Sequence, residues 1–326
     1  MKNRFLKGFI IFISIILVMF IFIFIAIQVG ETQLANMINT TDNTRISSVD
    51  IKLLRAKVII KDLQIHQPPL SVEAEELSLT ASLSELVDLA FNKGKELSQL
   101  RVYASGVRMK SDTIEFDVSH LVVSAKGRVS LLDINNAHLF SSEITIDDFR
   151  YEQKESDVTF IGAAGDIYFV GDIDGNTNIE NLSSVIEVLD ILKVDIQKPQ
   201  IIFPSTSMSS IPLLNADSSW LKNSDNFKGE VISVEAYSNK EILKAEDILI
   251  DFPLITIDGE LTLSTTGLIH IDSRVTHLEE TISTELNPFL AFFGFQIPKG
   301  AFTFFIHYDP SEQAPPVIEM KPIAVT

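Results

Sequence analysis

The sequence lacks cysteine and is poor in cations, and each shortage excludes classes of protein. With no cysteine among its 326 residues, the chain has no disulfide scaffold, thiol nucleophile, zinc ribbon or lipidated cysteine. Lysine and arginine number 26 against 44 acidic residues, a net charge of −18. Such a chain repels phosphate backbones, so we expect no nucleic-acid partner. An apolar fraction of 46% also excludes a disordered acidic tail.

Motifs of catalysis and of metal or cofactor binding are also absent from the sequence. It contains no nucleophile elbow, P-loop or dinucleotide-binding glycine fingerprint. The histidines lack zinc-site spacing, which favours structural histidines over metal ligands. We therefore predict a protein that is not an enzyme and has no catalytic residue, metal ligand or cofactor. The six histidines are His66, His120, His138, His270, His277 and His307.

Apolar residues are concentrated near the N-terminus. Residues 9–29 carry no charge, and a helix of 21 residues is about 31 Å long, enough to cross a bilayer core. The alternative is a cleaved signal peptide, whose apolar core would be shorter and followed by an A-x-A-like site. The length therefore favours a transmembrane anchor. Its predicted membrane-facing residues are Phe9, Phe12, Leu17, Phe22 and Val29.

The charges that flank the anchor predict its orientation. Lys2, Arg4 and Lys7 precede it and Glu31 follows, so the positive-inside rule places the N-terminus in the cytoplasm. Residues 1–30 then form the cytoplasmic tip and anchor. Residues 31–326, with a net charge of −21, form one extracytoplasmic domain.

Beyond the anchor, apolar residues recur with period two, which predicts an antiparallel, mainly β body. Gly171–Asn176 is typical of a turn between strands. The predicted strands are Val58–His66, Ser71–Thr80, Leu100–Ala104, Ile114–Ala125, Arg128–Ile134, Ser142–Tyr151, Ile167–Val170, Val194–Phe203, Glu230–Ala236, Ile242–Phe252, Thr256–Leu263, Leu268–Arg274 and Ala301–Tyr308.

Three short amphipathic helices are predicted to lie on or plug the sheet. The first begins at the capping box Ser82–Glu85, and the second begins at Ser184–Glu187 and continues through Leu192. The third covers roughly Leu278–Phe292 and is kinked or divided by Pro288.

Several strands are apolar on both faces, although an ordinary antiparallel sheet has one wet face. A packed helix or second sheet is the favoured cover, as in a sandwich core. The alternative is an apolar ligand, because a seven-residue strand is about 23 Å long, comparable with an extended acyl chain. The phenylalanines between residues 289 and 305 likewise predict a plug or, alternatively, an exposed lipid surface. Predicted lipid contacts are Ile59, Val122, Ile202, Ile255, Phe293 and Phe305.

Two segments, residues 62–79 and 247–263, share a pattern. Each has an aspartate, then Pro-Leu, then Glu-Leu, with the two leucines seven residues apart. The pattern predicts two similar hairpins with a proline near each turn. Asp147–Tyr151 matches the start of a third copy. A structural repeat and a chance likeness between acidic amphipathic hairpins both account for this echo.

The order of elements after the anchor resembles the opening of AsmA-like envelope proteins. A strand at residues 46–53 precedes Val58–Ile65, then Pro69–Leu79, the helix beginning at Ser82, and Leu100–Val107. The resemblance implies a periplasmic β-groove or sandwich on the inner membrane of a diderm bacterium, single-pass, which shields lipid chains. Lipid transport and outer-membrane homeostasis are the roles associated with that family.

A lesser resemblance concerns the C-terminal part. Gly259–Leu268 and Gly300–Ile306 are similar to the end of type II secretion N-type proteins. This implies the alternative of a non-enzymatic assembly or scaffold subunit of an envelope machine. The expected partners are therefore lipid acyl chains, the inner membrane and envelope proteins.

Overall fold

The computed structural model describes residues 43–52, 56–80, 96–130, 133–154, 158–174, 182–203, 224–291, 294–312 and 315–323. These residues form sixteen β-strands and two α-helices, and the strand pairs are antiparallel, which confirms the predicted mainly β class. The predicted anchor, its flanking cations and the first predicted helix lie outside the described residues. Within the described ranges, no helix is long and apolar enough to cross a membrane.

The chain divides into two compact units. Unit 1 runs to Lys154 and includes Asp166–Ser184, and unit 2 holds Glu155–Gly165 with the chain from Val185 onward. In unit 1, strands β3 to β7 pair in chain order, and β1 and β2 both pair with the other edge of β3. The strands are β1 (Thr44–Arg45), β2 (Ser48–Lys52), β3 (Lys57–Gln67), β4 (Leu70–Thr80), β5 (Glu96–Lys110), β6 (Ile114–Ser130) and β7 (Asp133–Gln153); β8 (Val158–Asp174) contributes residues to both units.

In unit 2, β9 pairs with β11, and β11 to β16 then pair in chain order. The short strand β10 pairs with β8. The elements are α1 (Leu182–Val188), of which only the last four residues belong to unit 2, β9 (Leu189–Gln197), β10 (Gln200–Ile202), β11 (Val231–Ser238), β12 (Ile242–Phe252), β13 (Ile255–Ser264), β14 (Ile269–Leu278), α2 (Glu280–Leu290), β15 (Phe302–Tyr308) and β16 (Val317–Pro322), with 3-10 turns at Ser224–Phe227 and Pro310–Glu312.

The second predicted helix is wrong at both ends, whereas the third is confirmed as α2, which contains Pro288. Helix α1 begins before Ser184, so this serine is no helix cap, and it ends at Val188. Leu192, predicted to be helical, lies in β9 opposite Ala236. Pairing with β11 thus overrides the helical spacing, because strand formation depends on neighbours more than on local pattern.

Strand boundaries also differ from the predicted ones. The predicted strand Ile114–Ala125 is confirmed as part of β6, but the break predicted before Arg128 is wrong, because β6 runs unbroken to Ser130 through a register shift. The turn predicted at Gly171–Asn176 is wrong as well, since β8 continues to Asp174. The predicted strand Val194–Phe203 is two strands, with Pro199, which has no N–H to donate, between them.

The alternation of buried and exposed residues slips by one position on five consecutive strands of unit 1, without a shift of register, along one line across the sheet that we call the interrupted line. On β3, Ile60 and Leu63 are both fully buried, while Lys61 and Asp62 between them are both exposed, so the alternation skips one residue. The same skip occurs on β4 to β7, and ladder pairing is interrupted at the matching register position each time. The interrupted positions are Asp62, Glu75, Gly106, Ser119 and Asp148.

Every second strand accommodates this line with a left-handed residue. The φ angles are 53° at Asp62, 57° at Gly106 and 47° at Asp148, a region that glycine and aspartate tolerate best. The Ser47 hydroxyl donates to the Asp62 carboxylate at 2.6 Å and to the preceding carbonyl at 3.2 Å. The Ser119 hydroxyl likewise donates to the Asp148 carboxylate at 3.4 Å and to the carbonyl of the preceding residue at 2.8 Å. The two aspartates therefore occupy equivalent positions on the interrupted line, and each accepts a hydrogen bond from a serine.

The two similar hairpins predicted from the sequence are confirmed. The β3–β4 hairpin turns at Pro68–Pro69 and the β12–β13 hairpin at Pro253–Leu254. Asp62 and Asp247 lie on the first strand of their hairpins and share a φ of 53°, although pairing shifts register around Asp247 and not around Asp62. The aspartate Asp148 of the third fragment is also left-handed, so the echo extends from sequence to backbone geometry.

We expect Asp148→Val to lower the free energy of unfolding by about 2 kcal/mol, and Asp148→Asn to change it much less. A β-branched residue in the left-handed region costs about 1–2 kcal/mol, and the acceptor for Ser119 is lost with it. Asparagine tolerates this conformation and keeps a side-chain oxygen. Urea denaturation of the full chain measures both variants; equal losses would show that the carboxylate charge, rather than the backbone, requires aspartate here.

Candidate functional site: an apolar sheet face

Unit 2 sorts its side chains by polarity onto the two sides of its sheet. Because alternate residues of a strand point to one side, directly opposed residues on neighbouring strands share that side. Two such rows cross seven strands and contain only apolar residues, and they define the apolar face. The rows are Leu192, Ala236, Ala245, Leu261, Ile271, Ile306 and Ile318, and Ile196, Ile232, Ile250, Ile257, Val275, Phe302 and Pro322.

The opposite side of this sheet is charged and solvated. Glu235 accepts hydrogen bonds from Lys193 and Tyr237. Both bonds lower the pKa of Glu235, and the bond from Lys193 has the larger effect. The Lys244 ammonium lies between Glu246 at 2.7 Å and Glu260 at 3.2 Å, and its pKa is raised by hydrogen bonds to these carboxylates. Exposed ion pairs of this kind contribute little to stability. Their role is to keep this side in water.

Helix α2 covers one end of the apolar face. Leu286 packs on a cluster formed by Val275, Phe302 and Ile297, each less than 9% exposed. The Asn287 amide fixes the segment that follows the helix, since its oxygen accepts from the Ile297 N–H at 2.6 Å and its nitrogen donates to the Ile297 carbonyl at 3.1 Å. Of the phenylalanines predicted to form a plug, Phe302 is buried in this cluster and Phe304 packs against it.

Helix α1 packs near the other end of the strands, beside β11. Ile186 is fully buried, and its carbonyl accepts a hydrogen bond of 2.7 Å from Ser238, on the apolar side of β11. Away from both helices, Leu261 and Ile306 are half-buried, and Ile269 at the strand ends is 37% exposed. The apolar face is thus only partly covered, and it can replace water around an apolar ligand or pack against an apolar protein surface.

Unit 1 differs from unit 2 because the apolar side of its sheet is buried. Leu63, Leu77 and Ala104 have no exposed surface, and Val118 and Ile146 are at most 9% exposed. These residues come from five neighbouring strands. Unit 1 therefore has a packed core on this side.

A polar depression of about 440 Å³ lies on the polar side of the sheet of unit 1, along the interrupted line. Arg108 donates to Asp117 across it at 2.7 Å, and this hydrogen bond raises the pKa of Arg108. The pair is solvent-exposed, so we interpret the depression as a hydrated surface. Its carboxylates are Asp62, Glu73, Glu75, Asp117 and Asp148.

The predicted lipid contacts lie on different strands and on different sides of the sheets. Ile255 packs beside α2 on the apolar side of unit 2, but Phe305 lies on the charged side, because it is out of phase with Phe302 and Ile306. Ile202, in β10, is 41% exposed. In unit 1, Ile59 is buried and Val122 is half-buried. Phe293 lies outside the described residues.

Sequence spacing missed a pair of histidines. His270 and His307 are directly opposed on β14 and β15, with their Nδ1 atoms 3.4 Å apart. Of the others, His138 Nδ1 lies 2.9 Å from Asp172 Oδ1, and His277 Nε2 lies 2.8 Å from a backbone carbonyl. Across the described part of the chain, no three histidine or acidic side chains are grouped so as to hold a metal ion.

Comparison with protein-family models finds no match, and comparisons with curated proteins and with solved structures find no significant match. The AsmA-like resemblance therefore stays a prediction.

Proposed function

We propose that this protein is a membrane-anchored β-groove protein that shields lipid acyl chains from water, in lipid transport or outer-membrane homeostasis. The observation that carries this proposal is the apolar face of unit 2, two rows of seven apolar residues left partly uncovered. Apolar surface in water is unfavourable by about 25 cal/mol per Å², and large exposed patches mark binding sites. An acyl chain is the apolar ligand that an anchored protein meets at its membrane.

The shielding is passive and requires no catalytic group. Each methylene that leaves water contributes about 0.8 kcal/mol. Seven strands about 4.8 Å apart make each row about 29 Å long, whereas one acyl chain spans a single leaflet, about half of the roughly 30 Å hydrocarbon thickness of a bilayer. A chain along the rows is therefore covered over its length, while a polar head remains at the rim, beside the charged side of the sheet. The predicted anchor would hold this face near its lipid source.

Lipid analysis of the full chain tests this proposal. The protein is purified from membranes in a mild detergent, and bound lipids are identified by native mass spectrometry. We expect phospholipid to remain bound after detergent exchange. A protein that carries no lipid above the level of empty micelles would contradict the proposal.

A second candidate function is a non-enzymatic assembly or scaffold subunit of an envelope or type II secretion machine. The closed core of unit 1 favours it, because a packed body with a polar exterior suits a protein partner better than a lipid. Crosslinking in cells followed by pull-down separates the two functions. A specific envelope protein, together with lipid-free protein, would support the second candidate.

A further inference from the structure

The opposed histidines of unit 2 form a two-nitrogen pair on the charged side of its sheet. His270 and His307 are both half-buried, with ring centroids 5.6 Å apart and ring planes 75° apart. They are in neighbouring strands, so their backbones are fixed by the β14–β15 ladder. This side faces away from the apolar face, and the inference drawn from the pair does not depend on the proposed function.

The distance between the two Nδ1 atoms can be compared with that of a hydrogen bond and with that of two ligands of one metal ion. At 3.4 Å, the two Nδ1 atoms are farther apart than in an ordinary hydrogen bond, which spans about 2.7–3.2 Å. Two nitrogens that bind one tetrahedral ion at about 2.0–2.1 Å are separated by about 3.3 Å. The pair therefore has the spacing of two ligands of a tetrahedral ion.

Phe305 restricts both imidazoles. Its ring meets His270 edge to face, with centroids 5.1 Å apart and planes at 86°, and lies nearly parallel to His307 at 6.5 Å. Packing of this kind limits the rotation of both imidazole rings. Such outer contacts orient metal ligands and raise the affinity of a site.

We propose that His270 and His307 bind one divalent transition-metal ion of the Zn²⁺ class through their Nδ1 atoms. Imidazole nitrogen is a preferred ligand for Zn²⁺, Cu²⁺ and Ni²⁺, and the acidic chain attracts cations. Structural zinc sites use four protein ligands. With two, the ion is exchangeable, and its remaining positions take water or a donor from another molecule. Rules based on the spacing of histidines along the sequence favoured a structural role. Such rules cannot detect two histidines that are distant in sequence and are brought together by strand pairing.

Zinc titration of the full chain in detergent, in competition with a chromogenic chelator, tests the site. The variants are His270→Gln and His307→Gln, and the matched control is His66→Gln, an exposed strand histidine of unit 1. Loss of even an outer-shell partner costs about tenfold or more in metal affinity. We therefore expect each pair variant to bind Zn²⁺ at least about tenfold more weakly, and the control to bind as the unaltered protein does.

Electron paramagnetic resonance of the unaltered protein with one equivalent of Cu²⁺ gives a second readout that needs no variant. We expect hyperfine coupling to two nitrogens. Unchanged zinc affinity in either folded pair variant would overturn the proposal, and folding is checked by circular dichroism. A Cu²⁺ spectrum without two nitrogens would overturn it as well, even if a variant fails to fold.

Discussion

Leu261→Glu is expected to lower the amount of lipid that co-purifies with the full chain by about tenfold. Leu261 lies in the middle of the apolar face, opposite Ala245 on β12 and Ile271 on β14, and is half-buried. A carboxylate at this position must stay hydrated, so an acyl chain loses contact at about two methylenes. That loss is about 1.6 kcal/mol, or slightly more than tenfold in affinity. Quantitative lipid mass spectrometry measures the effect.

Thr262→Glu is the matched control, because it makes the same charge change one residue further along β13. Thr262 is on the charged side, opposite Lys244, where a carboxylate is well accommodated. The control also keeps the anchor, so lipid held there is equal in both variants. We expect Thr262→Glu to retain lipid. If Leu261→Glu retains as much, the lipid is bound elsewhere and the apolar face is not its site.

The mainly β, antiparallel class was predictable because alternation is local. Residues such as Phe302, Phe304 and Ile306 show it without reference to any partner strand. The boundaries were less predictable, since pairing decides them: Leu192 has helical spacing but pairs with Ala236. The strand β16 was missed because it is short and ends in a proline, as edge strands do.

The candidate site was predictable only in part. Alternate residues of β15 point to opposite sides of the sheet, so Phe302 and Ile306 lie on the apolar face and Phe305 does not. The alternation within β15 was therefore enough to exclude Phe305 as a lipid contact. No local pattern in the sequence predicts that His270 and His307 lie opposite each other, because they are 37 positions apart and the whole of α2 lies between them. The interrupted line in unit 1 likewise needs the register of five strands. Its one local trace is the left-handed aspartate at Asp62 and Asp148, which recurs in unit 2 as Asp247.

Leu77→Ala is expected to lower the free energy of unfolding by about 3 kcal/mol. Leu77 has no exposed surface and lies between Ile60 and Ala104 on neighbouring strands of unit 1. Truncation of a leucine in a closed core removes its transfer free energy and leaves a cavity, which together cost about 2–5 kcal/mol. Urea denaturation of the full chain, followed by far-ultraviolet circular dichroism, measures the loss.

Leu261→Ala removes the same atoms from the apolar face and is the control for this measurement. Because Leu261 is only half-buried, we expect a loss of about 1 kcal/mol, since water can enter the vacated space and no closed cavity forms. The ratio of the two losses thus measures how open the apolar face is. Equal losses near 3 kcal/mol would show that this face is packed as tightly as the core of unit 1, which leaves no room for an acyl chain.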